Sequence, residues 1–194
     1  MKHFPPNARR CMRSRERFPH ASRVMRGRAR EASQAEFPQS EMKQLGALFS
    51  AGRHVELESR VRSLLERYPD TGFLWKALGA ALQEQGKDDL PALQKAVELL
   101  PEDAEAHYNL GNSLCNMGRL DDATACYRRA LQIDPAYVKA HNNLGATLKA
   151  LGRIDDAVAS YRRALAIQPD YADAHRNLLL ALGRPLRGDA AGAC

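Results

Sequence analysis

The sequence lacks most of what catalytic and cofactor-binding proteins are built from. Aromatic residues are 6% of 194 positions, with a single Trp, so any core must be mainly Leu and Ala. The four cysteines, Cys11, Cys115, Cys126 and Cys194, form no Cys-x-x-Cys pair, which removes the common zinc and thiol-redox motifs. No apolar run approaches the ~20 residues of a membrane span. No short apolar segment follows the basic N-terminal stretch, which argues against a secretory signal. The expectation is therefore a cytoplasmic chain with free thiols. There is no glycine-rich phosphate loop, no nucleophile paired with a base and no metal-ligand spacing. A non-enzyme with no cofactor and no metal follows as an expectation.

Charge is scarce where it would matter for nucleic-acid binding. The formal net charge is +6, but residues 1–36 hold ten basic side chains against Glu16, Glu31 and Glu36. Everything after them holds 19 basic and 20 acidic residues, so the remainder is near neutral. Residues 1–36 also lack apolar periodicity and are rich in Arg, Ser and Pro, the composition of a disordered tail. Such a tail can be a nucleic-acid arm, a targeting segment or the product of an over-early start, with Met12, Met25 and Met42 as later starts. We place a disordered basic tail at 1–37 and a second disordered tail at 184–194.

What is present is repetition. Residues 106–135 and 140–169 agree at 19 of 30 positions without a gap, at an offset of 34. Within the first copy, Ala106, Leu110, Leu114 and Met117 recur at three-to-four spacing, as do Leu120, Ala123, Tyr127, Ala130 and Leu131. Each set is one face of an amphipathic helix of three to four turns. Gly118 suits a left-handed C-cap between them, Asp121 or Asp122 can cap the second helix, and Pro135 ends it. One unit is thus an antiparallel helix hairpin. Two helices cannot bury their apolar faces alone, so hairpins must stack.

The pattern Leu110, Gly111, Leu114, Gly118, Ala123, Tyr127, Ala130, Pro135 resembles the tetratricopeptide repeat. Leu144, Gly145, Leu148, Gly152, Ala157, Tyr161, Ala164 and Pro169 repeat it. The register extends to 72–103, two residues short near Pro91, and to a degenerate 38–71 that lacks the first-helix glycine. It also extends to a closing helix at 172–183. The predicted fold is all-α: a right-handed solenoid of about four hairpins (38–71, 72–103, 104–137, 138–171) and that closing helix. Leu178, Leu179, Leu180 and Leu182 are very apolar for a solvated cap.

Most recurring residues read as architecture. Gly111 and Gly145 mark close helix approach, and Tyr127 and Tyr161 fill the gap between successive hairpins. His107, His141 and His175 share one register with Trp75, which makes that position a packing slot rather than a metal ligand. Arg128, Arg129, Arg162 and Arg163 belong to the outer helix surface.

The resemblance implies that first helices line a concave ligand-binding face. The positions it puts there are Phe73, Lys76, Ala80, Gln83 and Glu84, then Glu105, Tyr108, Asn109, Asn112, Cys115 and Asn116. They continue with Lys139, Asn142, Asn143, Ala146 and Lys149, then Asp173, Arg176 and Asn177. Asn109, Asn143 and Asn177 recur at 34-residue intervals. A side-chain amide can donate to and accept from one peptide unit, so the three could grip an extended backbone. Such a ladder, with the "AHxNLG" phrasing, resembles the N-terminal repeats of bacterial proteins similar to O-linked N-acetylglucosamine transferases. Ala77 breaks the ladder upstream.

Lys76, Asn109 and Lys139 also match three positions of the clamp with which some members hold C-terminal carboxylates, while Ala80 and Asn143 do not. The expected function is a protein-interaction module holding an extended peptide or partner segment. The second expectation is the substrate-recognition region of a glycosyltransferase or sulfotransferase carrying such repeats. The expected partner is protein, with no membrane, and nucleic acid only through the tail.

Overall fold

The computed structural model describes residues 37–183, and the sequence expectations for 1–36 and 184–194 lie outside them. The described chain is nine helices in antiparallel succession. They are α1 Gln39–Ser50, α2 His54–Arg67, α3 Gly72–Glu84, α4 Leu90–Leu99 and α5 Ala104–Asn116, then α6 Leu120–Ile133, α7 Val138–Ala150, α8 Ile154–Ile167 and α9 Ala172–Ala181. Each packs on the next, and α3, α5, α7 and α9 also touch one another in turn. The odd-numbered helices from α3 onward thus form one contiguous inner row, with the even-numbered helices outside it.

The loops inside the hairpins follow from glycine. Gly52, Gly86, Gly118 and Gly152 have φ between 64° and 77°, the left-handed region that closes a helix without a Cβ penalty. The acidic pairs do not cap. The N-cap positions of α6 and α8 are Arg119 and Arg153, and neither makes a side-chain cap bond. Asp122 and Asp156 lie inside the first turn and pair with those arginines at 2.6 Å. One of the inner helices is capped by its acid: Asp103 accepts from the Ala106 N–H at 3.0 Å.

Bulk is traded between the paired helices of each hairpin. A Cβ on Gly111 would sit 2.7 Å from the Tyr127 ring, and one on Gly145 2.6 Å from Tyr161. Both rings are 1% exposed. Each tyrosine thus lies over the glycine of its own hairpin, in one apolar cluster with Leu144 and Leu148. In the second hairpin Leu93 takes the tyrosine's place over Gly79. In the first, Leu45 stands at the glycine position and the smaller Val61 opposite, both buried. The missing glycine at 38–71 is therefore compensated rather than lost. Closing helix α9 has Leu179 at that position, with no second helix following it among the described residues to need the space. Phe37, assigned to the tail by its sequence, packs edge-on against Tyr68 at 5.5 Å, because the first hairpin leaves apolar surface for it.

Candidate functional site

The recurring histidines hold hairpins together. His107, His141 and His175 each place Nε2 at 2.7 to 3.0 Å from the carbonyl oxygen of the proline six residues earlier. Trp75 Nε1 donates to the Pro69 carbonyl in the same way, at 2.7 Å. Expected as a packing slot, the position is a hydrogen-bonding one from the second hairpin onward, where His or Trp occupies it; the first hairpin has Glu41 there. Burial pushes His141 below the ordinary imidazole range, against the bond to Pro135.

The asparagines diverge in role. The Asn143 amide donates to Asn112 Oδ1 at 2.9 Å and to the Tyr108 hydroxyl at 3.1 Å. It accepts from Asn142 at 3.2 Å. Tyr127 donates to the same Asn112 oxygen at 2.8 Å, and burial keeps its hydroxyl protonated far into alkali. Asn177 donates to Asn142 Oδ1 at 3.0 Å. Asn142, 6% exposed, is a buried link between α7 and α9. A continuous line of amides thus crosses α5, α7 and α9.

Asn109 is different for a reason that register supplies. Asn143 bonds the preceding repeat at Tyr108 and Asn112. The equivalent positions before Asn109 are Lys76, which has no acceptor, and Ala80, which has no polar group. Among the described residues no side-chain hydrogen bond engages Asn109.

Lys76 is also committed. Its ammonium lies 2.8 Å from Asp103 and 2.7 Å from Glu105, and its side chain is 16% exposed. Burial alone would lower its pKa, but the two carboxylates outweigh this and the net shift is upward. Asp103 is held below its ordinary value: burial opposes this, and the bonds from Lys76 and the Ala106 N–H prevail.

Beside that ion cluster the inner face opens into a cup of ≈ 230 Å³. Its lining comes from α1 (Leu45, Gly46, Phe49), α2 (Leu57), α3 (Phe73, Lys76, Ala77, Ala80) and α5 (Glu105, Asn109). Ala80 and Gly46 stand where Asn112 stands later, and Ala77 stands where Asn109 does. The residues that interrupt the ladder are the floor of the cup. Phe49, 42% exposed, forms an aromatic wall. Sequence reasoning named Phe73, Lys76, Ala80, Glu105 and Asn109 as ligand-facing. It missed Gly46, whose signal was the small-residue register that it shares with Ala80, and Phe49, which shares the register of Gln83 and Cys115.

The remaining candidates are spread along the inner row. Lys139 is exposed and makes no ion pair among the described residues, whereas Arg176 pairs with Asp173 at 2.7 Å. Tyr108 stacks near Tyr137, with ring centroids 5.0 Å apart. Cys115 is half-buried, 3.7 Å from the Thr147 hydroxyl. Among the described residues no His, Cys, Asp and Glu group has metal-binding geometry, and no helix is long and apolar enough to cross a membrane.

Three family models match this geometry in sequence, at residues 92–125, 111–152 and 138–171, all described as tetratricopeptide or TPR repeats. The chain carries tetratricopeptide repeats. Among solved tetratricopeptide structures it is similar to MamA, with TM-score 0.67 and 24% identity over 73% of this chain and 79% of that one. It is similar to YrrB, described as a TPR protein with an unusual peptide-binding site, with TM-score 0.63, 28% identity, and 68% and 69% of the two chains covered. It is also similar to the first TPR of Spaghetti (RPAP3) bound to the HSP90 peptide SRMEEVD, with TM-score 0.57, 21% identity, and 58% and 90% covered. No curated protein matches the chain.

Proposed function

We propose that this chain is a protein-interaction module that holds an extended peptide or partner segment on its concave face. The observation that carries the reading is the cup between α1, α3 and α5, apolar on its floor and edged by the free amide of Asn109. An apolar side chain gains by leaving water there. An extended backbone passing Asn109 can both donate to and accept from it. Solved relatives support the reading, since YrrB is described with a peptide-binding site and the RPAP3 repeat with a bound peptide.

Of the proposed contacts, Asn109, Tyr108, Lys139 and Arg176 remain accessible to a ligand, while Asn112, Asn142, Asn143 and Asn177 chiefly join the repeats. A transferase-type asparagine ladder has less support, because both amide protons of Asn143 and one of Asn177 are already donated within the repeats. The half-buried thiols of Cys115 and Cys126 suit a reducing cytoplasm.

The test is capture of partners by the intact chain, followed by titration of a captured segment against wild type and Ala80→Phe. The variant fills the cup from a half-buried inner position and leaves every core residue of the hairpins in place. Loss of binding with an unchanged helical spectrum is expected. Undiminished binding by a folded Ala80→Phe protein would place the ligand elsewhere.

A further inference from the structure

The cup has a charged edge of definite sign. Its charged lining residues are Lys76 and Glu105. Lys76 is already shared between Asp103 and Glu105, so the three groups together carry one net negative charge. Glu105 is 59% exposed in its side chain, which leaves carboxylate oxygen free toward the groove. Lys43, which holds on α1 the register of Ala77 and Asn109, is outside the lining.

An acidic ligand entering here would meet the net negative charge of the cluster, and two of the three ammonium protons of Lys76 are already taken by carboxylates. A basic group would instead complete the cluster. The volume matters too: ≈ 230 Å³ is below the ~300–1,000 Å³ of pockets that enclose whole small ligands. It accommodates one side chain, with walls from Leu45, Phe49 and Phe73 and a floor of Gly46, Ala77 and Ala80.

Resting on the peptide-binding reading above, we infer that the preferred occupant is an extended protein segment that seats one apolar side chain in the cup and sets a Lys or Arg beside it against Glu105. The apolar anchor supplies most of the affinity. The charge-assisted bond to Glu105 selects among anchors.

The experiment is selection of random twelve-residue peptides on the full chain, run in parallel on Ala80→Phe and Glu105→Gln. Winners are then measured individually for affinity. Wild type is expected to enrich an apolar residue with Lys or Arg adjacent. Those peptides should lose binding to Ala80→Phe and bind Glu105→Gln about fivefold more weakly, the upper end for a partly exposed ion pair. Circular dichroism checks that both variants fold.

Winners that fail on Ala80→Phe but ignore Glu105→Gln would leave the groove standing and overturn the charge preference. Winners carrying Asp or Glu beside the anchor would overturn it as well. No enrichment at all, or winners indifferent to Ala80→Phe, would overturn both readings.

Discussion

The amide nitrogen of Asn143 on α7 lies 2.9 Å from the side-chain oxygen of Asn112 on α5, joining consecutive repeats on their inner face. With the Tyr108 hydroxyl and the Asn142 amide as its other partners, Asn143 has both amide protons donated and one oxygen lone pair taken, which leaves it no donor for a ligand. Asn143→Ala should therefore lower stability by about 1–3 kcal/mol through the orphaned partners. Asn109→Ala should leave it within about 0.5 kcal/mol, as for other substitutions away from buried features. Urea titration of the two variants separates the roles. Equal losses would show that Asn109 is also structural.

Gly145→Ala sets two effects against each other. Ala favours helix over Gly by about 1 kcal/mol. The added Cβ would meet the buried Tyr161 ring at 2.6 Å, an overpacking that costs about 1–3 kcal/mol. The second effect should win because the ring is enclosed and cannot swing away. A net fall of up to about 2 kcal/mol in unfolding free energy is expected. A gain would mean that the hairpin relaxes freely.

His141→Trp should be nearly neutral, since Trp75 already makes the same bond to a proline carbonyl. His141→Ala should cost about 0.5–1.5 kcal/mol for the lost hydrogen bond. The pH dependence has a definite sign. The folded-state pKa of His141 is lowered, so the folded chain holds this proton less tightly than the unfolded chain does. Its contribution is present above the unfolded value of about 6.5 and is lost as pH falls through the folded value. Thermal melts from pH 7.5 downward should show the wild type losing more stability than His141→Trp. Parallel curves would contradict the assignment.

Lys76→Met should remove the upward pull on one side and the downward pull on the other. Asp103 has a lowered folded-state pKa, so its contribution is present above about 3.9 and lost as pH falls below it. Melts in acid should therefore steepen for wild type and flatten for Lys76→Met. If the two lines superimpose, the ion cluster adds nothing to stability.

The hairpins and their glycine punctuation were legible because they are set by spacing within one repeat, whereas Tyr127 and Tyr161, expected between successive hairpins, lie over the glycines of their own. What spacing could not reveal was the partner of each polar side chain. Asn109 and Asn143 have one register and one chemistry, yet differ because their neighbours on the preceding helix are Lys76 and Ala80 in one case, Tyr108 and Asn112 in the other. Asp121 and Asp122 looked like caps because they open a helix, but the N-cap position itself fell to Arg119. The cup escaped notice for a related reason. It is made by side chains that are absent at Gly46, Ala77 and Ala80, and a sequence scan for chemistry passes over such positions.

The bond from His107, His141, His175 and Trp75 to a proline carbonyl has a further consequence. Its acceptor is main chain, present whatever side chain the earlier repeat carries. A hairpin that begins with His or Trp can therefore follow any hairpin that ends as these do, with no new pair of side chains to match. The junction is standardised, so copying or deleting a whole unit leaves the bracing bonds at every remaining joint intact. Two neighbouring units that still read almost alike are what such interchangeable joints permit.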